Sequence, residues 1–260
     1  MIKDIITGIL LGGTMSVPGV SGGTMAIALG CYGRILGAAT DLKHGFWYLF
    51  RILLGGILGF LTVGNVVGMV FEQCPVIATT VFCCAALAGM VHLWKDCTTV
   101  SLGGIVCFIL GVACVFAVDL APAQAEPSPL FAALCGIAVA AGIILPGIST
   151  SHLLVLFGWY DAVVCLHLKE LLPLGLGVVI GLLLLTKPLV RSMSRYPSEW
   201  SLALLGFSLG SLRPLILPCF TAPNADSHPI IQLGTGLVLG GMAFLCLLQN
   251  RQDGEKIVTL

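Results

Sequence analysis

Two stretches of this chain are too long and too apolar to form one structural element each, and they constrain the fold most. Ile5 to Gly33 and Pro127 to Tyr160 contain no Asp, Glu, Lys or Arg. As one helix the first would be about 43 Å long, against a hydrocarbon core of about 30 Å. Each is interrupted in the middle, by Val17-Pro18-Gly19-Val20-Ser21-Gly22-Gly23-Thr24 and by Leu145-Pro146-Gly147-Ile148-Ser149-Thr150-Ser151-His152. Proline removes a backbone donor and glycine is a poor helix former, so both halt a helix there. The flanks are long enough to reach a bilayer midplane and return. Each stretch therefore predicts a re-entrant hairpin of two half-helices.

The rest of the chain agrees with a bilayer. Lys and Arg number 12, Asp and Glu 12, in 260 residues, and mean hydropathy is +1.07. Charged residues are 9%, whereas soluble domains carry about 25%. An ordinary soluble enzyme and a disordered chain are excluded. The net charge of zero supplies no basic field for nucleic acid. Eleven cysteines are scattered through apolar runs with no C-x-x-C pair, so they read as small hydrophobes. No metal site or cofactor is expected, and no cleavable signal peptide is read at the start.

Six ordinary spans accompany the two hairpins, in two sets of three. The first half, 1–125, has its hairpin at 5–36 and spans at 47–71, 76–94 and 102–118. The second half, 126–260, has its hairpin at 129–166 and spans at 171–187, 200–217 and 230–249. Because a hairpin returns to its own side, each half crosses three times. With the start inside, the inner segments carry Lys3, Arg34, Lys43, Arg51, Lys95, Lys187, Arg191, Arg195, Arg251 and Lys256. The outer ones carry Lys169, and Arg213 stands near a helix end. This bias places both termini in the cytoplasm.

The two break motifs align at an offset of 128: Pro18 with Pro146, Gly19 with Gly147, Ser21 with Ser149, Gly30 with Gly158, Tyr32 with Tyr160. In the later spans, Gly89-Met90-Val91-His92 matches Gly210-Ser211-Leu212-Arg213, which sets His92 opposite Arg213. Three crossings is an odd number, so the second half enters from the opposite face. The predicted fold class is an all-α integral membrane protein of two inverted-topology repeats. Secondary transporters built this way bind substrate at broken helices near the midplane.

The chemistry expected at the breaks is anion binding. A half-helix begins there with unpaired N–H groups and the positive end of its dipole. Gly22 and Gly23 allow close backbone approach, and Ser21, Thr24, Ser149, Thr150 and Ser151 add hydroxyls. Two such ends from opposite sides form a cradle suited to phosphate. The competing reading is a packing kink in which Ser21 is an ordinary N-cap. Arg34 and Arg213 are candidate phosphate clamps, one toward each face. His152 at the second tip is a candidate phosphate donor. His92, Asp161, Tyr32 and Tyr160 are accessory candidates. No catalytic residue is assigned: no carboxylate is placed to orient His152, and no paired carboxylates lie within a span.

These motifs resemble a known family. Val17 to Thr24 followed by Gly30-x-Tyr32-x-Arg34, and Ile144 to Ser149 followed by Gly158-x-Tyr160-Asp161, are similar to the bacterial polyprenyl-phosphate transporter family. The sequence departs from that pattern at Ser16, Gly33, Thr150 and His152. The resemblance covers essentially the whole chain. It implies a flippase that returns undecaprenyl phosphate from the outer to the cytoplasmic leaflet of the bacterial inner membrane, for reuse in cell-wall synthesis. It implies a polyprenyl-phosphate lipid and the bilayer as partners; a homodimer is left open. Two rival readings fit the sequence: a membrane undecaprenyl-pyrophosphate phosphatase and a transporter of a small soluble anion. The phosphatase motif continues Arg-Ser after its Pro-Gly-x-Ser, where this chain has Gly22 and Thr150.

Overall fold

Prolines open four of the helices, where the lost N–H would be unpaired in any case. The computed structural model describes residues 2–15, 21–120, 128–146, 150–159, 162–163, 168–213, 216 and 229–249. The helices are α1 (Ile2–Met15), α2 (Gly22–Ala28), α3 (Tyr32–Thr40), α4 (Leu42–Gln73), α5 (Pro75–Asp96), α6 (Leu102–Leu120), α7 (Pro129–Ile144), α8 (Thr150–Leu156), α9 (Leu168–Arg195), α10 (Pro197–Gly210) and α11 (Pro229–Gln249). No strand occurs among the described residues. Three helices are long and apolar enough to cross a membrane, at Leu42–Gly64, Pro75–Asp96 and Leu171–Arg195, and shorter apolar helices lie in α6, α7 and α11. Large side chains such as Leu53, Leu61, Leu183 and Met242 stand exposed on their outer faces, as a protein solvated by lipid requires.

Glycines set how the helices meet. A Cβ on Gly12 would lie 2.7 Å from Gly56 Cα, and one on Gly59 would lie 2.7 Å from Ile9 Cα. In the second half, a Cβ on Gly177 would lie 2.8 Å from the Ala133 carbonyl carbon, and one on Gly181 would lie 2.9 Å from Ile137 Cα. Such backbone-to-backbone approach is how helices associate where lipid removes the hydrophobic drive. Contacts rise in step along both partners, so α1 runs parallel to α4 and α7 parallel to α9. Ile9 and Ile137 are 128 apart, while Gly59 and Gly181 are 122 apart. The two pairs thus pack in the same register. The halves also exchange helices: α6 lies along α10 (Gly104 against Leu202, Gly210 against Val115), and α5 along α11 (Gly236 against Thr80, Gly240 against Cys84).

The parallel packing of α1 and α4 has a topological consequence. Asp4, in the first turn of α1, meets Arg51, the tenth residue of α4, so α4 starts before the level at which α1 begins. The intervening chain therefore returns to the side on which α1 began. The return limb differs from the single half-helix expected. It is split into α2 and α3 at Gly30, whose φ is +71°. Gly30 N–H bonds to Ile27 O at 2.9 Å and Cys31 N–H to Ala26 O at 2.9 Å, a helix stop that needs a left-handed residue. Gly158 ends α8 in the same way, with φ +74° and Trp159 N–H on Leu154 O at 2.8 Å.

Two helices differ in extent from the expected spans. The expected 171–187 span is a helix reaching Arg195, with Pro173 and Pro188 inside it. A membrane helix tolerates proline where neighbours satisfy the freed backbone groups. Within the expected 200–217 span, α10 ends at Gly210 with a turn at Ser211, and Leu212, Arg213 and Ile216 are helical again.

Candidate functional site

Most of α2 is buried. Thr24 to Ala28 are all buried, because α5 covers this short helix closely. A Cβ on Gly89 of α5 would lie 3.0 Å from Ala28 N. Ser21 precedes the helix in an extended conformation (φ −85°, ψ 122°), and its side chain makes no bond to the N–H groups of the first turn. The ordinary N-cap role therefore does not account for this serine. Thr24 is only 5% exposed, and its hydroxyl has no hydrogen-bond partner among the described residues. A hydroxyl buried without a partner is costly, and such a group stands out as one that a ligand could satisfy.

The two breaks meet. A Cβ on Gly23 would lie 2.7 Å from Pro146 Cα and 3.1 Å from its N and Cβ. Glycine at 23 thus permits direct contact between the two Pro-Gly interruptions, at residues 123 apart in sequence. A second link is polar: the Tyr32 hydroxyl donates to the Ile144 carbonyl at 2.6 Å. That carbonyl belongs to the last turn of α7, where helical partners run out. Tyr32, set apart in the sequence as an accessory residue, ties the start of α3 to the end of α7.

Tyr32→Phe keeps the ring packed and leaves the Ile144 carbonyl buried without its donor. The expected cost is about 1–2 kcal/mol, with a lowered thermal unfolding midpoint in detergent. Transport is expected to fall with it, since the same bond fixes the tips.

The other candidates are distributed. Gly22 lies under Met15, whose Cγ would be 3.0 Å from an added Cβ. Thr150 opens α8 and is half-buried; Ser151 and His152 follow in the same helix. Pro18, Gly19, Gly147, Ser149, Tyr160 and Asp161 lie outside the described residues, as do the side chains of Ser151 and His152. His92 is 1% exposed on α5, one turn beyond Gly89. Arg213 is exposed beyond the end of α10, with its guanidinium carbon 5.2 Å from the centre of the Phe116 ring.

Arg34 is engaged away from the tips. Its Nη1 lies 3.7 Å from Asp4 Oδ1, and its guanidinium stacks 4.4 Å above the Tyr48 ring. Arg51 Nη1 donates to Asp4 Oδ2 at 2.6 Å. Asp4, buried, is thus shared by two arginines from α3 and α4. The sequence reading assigned Arg51 to orientation alone and gave Asp4 no role. The available signal was a single carboxylate in the first turn of an apolar helix, among inner basic residues.

A family model described as undecaprenyl phosphate translocase-like matches residues 11–228. A polyprenyl-phosphate transporter of Vibrio cholerae serotype O1 is 28% identical over 240 residues, covering 84% of this chain and 78% of that protein. No solved structure matches.

Proposed function

The chain belongs to the undecaprenyl phosphate translocase-like family, and on that premise we propose that it carries undecaprenyl phosphate from the outer to the cytoplasmic leaflet of a bacterial inner membrane. The relative in Vibrio cholerae, a polyprenyl-phosphate transporter, supports the same substrate class. In this reading the two broken segments are re-entrant hairpins entering from opposite faces. The parallel α1–α4 and α7–α9 pairs in matched register support that arrangement, as does the inner bias of basic residues. Both termini are then cytoplasmic.

The contact of Gly23 with Pro146 carries the reading. An isolated phosphate faces a prohibitive barrier in hydrocarbon. Where the tips meet, the starts of α2 and α8 present backbone N–H groups, and Ser21, Thr24, Ser149, Thr150, Ser151 and His152 add polar side chains. This cradle takes the head group with few formal charges. The polyprenyl tail stays in lipid. Arg213 collects the phosphate toward the outer face and Arg34 toward the inner one, while rocking of one half against the other exposes the cradle alternately.

The test is leaflet-resolved movement of undecaprenyl phosphate in sealed vesicles, with free phosphate assayed in parallel. Transport with no phosphate released is the expected result. Release of phosphate from undecaprenyl pyrophosphate would replace the transporter with an enzyme. Uptake of inorganic phosphate without lipid movement would replace it with a soluble-anion carrier. Arg213→Ala is expected to slow transport about tenfold or more at unchanged expression, as loss of a charge-assisted phosphate contact predicts. A wild-type rate would reduce Arg213 to an interfacial anchor.

A further inference from the structure

The last turns of α9 carry a feature that neither the hairpins nor membrane orientation explains. Lys187, Arg191 and Arg195 stand one helical turn apart on a single exposed stripe, and with Pro188, Ser192 and Tyr196 they line a groove of about 600 Å³. The stripe faces away from the core: Thr186, Val190 and Met193 fill the opposite, buried side of the same turns. Like charges at i,i+4 repel and destabilise a helix. Orientation requires only that cations lie on the inner side, not that three share one face. Among the described residues no carboxylate pairs with any of them. Glu199, the nearest acid further along the chain, accepts from the Ser101 hydroxyl at 3.4 Å. Ser192 accepts the Trp200 indole N–H at 2.9 Å, which leaves its own proton to donate.

We infer that this groove binds the phosphate of an anionic lipid head group in the cytoplasmic leaflet. The outward face at the end of a spanning helix lies at head-group depth. Three cations without a carboxylate among the described residues complement a lipid phosphate, and Tyr196 suits the water–lipid boundary. The leaflet rests on the topology proposed above; the chemistry does not.

The experiment uses the full chain in nanodiscs of phosphatidylcholine, doped with phosphatidylglycerol or with undecaprenyl phosphate. Retained lipid is read by native mass spectrometry, and amine modification of Lys187 by footprinting. The wild type is expected to retain the doped lipid and to shield Lys187. K187Q/R191Q/R195Q, three changes at exposed positions, is expected to weaken retention about a hundredfold, at roughly fivefold per cation. K3Q/K43Q/K95Q, which removes as many exposed cations elsewhere, is expected to change it little. Equal losses in both triple variants would overturn the site in favour of general attraction to the membrane. Shielding by inorganic phosphate in undoped discs, with no lipid retained, would overturn the lipid assignment. Nanodiscs expose both leaflets, so this readout is independent of transport. Loss of the groove would leave the transport reading intact, and a wild type that fails to move lipid in sealed vesicles would leave the groove intact.

Discussion

Gly23→Ala is expected to cut lipid transport about a hundredfold while the protein still reaches the membrane. The added methyl would sit 2.7 Å from Pro146 Cα and 3.1 Å from its ring nitrogen. These are backbone atoms of a residue whose φ is fixed by its ring, so no rotamer change relieves the overlap. The hairpin tips must move apart by something near 1 Å. Sites that work through oriented donors lose on the order of 100-fold for such a displacement. Gly22→Ala provides the contrast, because its methyl would press only on the flexible Met15 side chain, with Cγ at 3.0 Å; a loss of a fewfold is expected. Gly241→Ala, with nothing within 4 Å of the added atom, controls for the substitution itself. The measurement is the initial rate of undecaprenyl phosphate movement per folded protein in vesicles. A wild-type rate for Gly23→Ala would separate the meeting of the tips from the transport path.

Much of this arrangement is written locally in the chain. Uncharged length followed by Pro-Gly announces a break wherever it occurs, so both interruptions and the paired Gly30 and Gly158 can be read residue by residue. The helical, lipid-facing character follows equally from hydropathy. What could not be read depends on register between distant helices. Arg51 carries no sequence mark of its pairing with Asp4, because that contact exists only once α1 lies parallel to α4. The split at Gly30 was missed because a return limb of either one helix or two satisfies the same apolar pattern. Lys187-Pro188 looked like the end of a span, yet α9 runs on to Arg195, since its outward face tolerates charge. One signal was present and unused. Gly8 with Gly12, Gly55 with Gly59, Gly177 with Gly181 and Gly236 with Gly240 are each four apart, and these glycines form the close helix pairs.

The second large effect is expected at the foot of the first hairpin. Arg51→Ala should destabilise the protein by about 3 kcal/mol, the lower end of the range for removing one partner of a buried ion pair. The lower end applies because the Asp4 side chain is 8% exposed while that of Arg51 is 28% exposed. Arg34 does not rescue the carboxylate: it stands 3.7 Å away with 58% of its side chain exposed, and exposed pairs are worth little. The cost is therefore mainly that of a buried charge without its close donor, and removing that charge should recover part of it. Asp4→Asn combined with Arg51→Ala is accordingly expected to be more stable than Arg51→Ala alone, by about 1 kcal/mol or more. Thermal unfolding in detergent reads both. If the double variant is less stable than Arg51→Ala, the carboxylate is stabilising on its own and the pair is not the source of the effect. The second half offers an internal control. Its positions matching Asp4 and Arg34 at the offset of 128 are Ala132 and Ala162, buried with Cys135, Trp159 and Leu174 in an apolar cluster. α1 is anchored by charge and α7 by packing, so raised salt should weaken the first anchor and spare the second. Proteolysis near α1 in Arg51→Ala should then increase without a matching increase near α7.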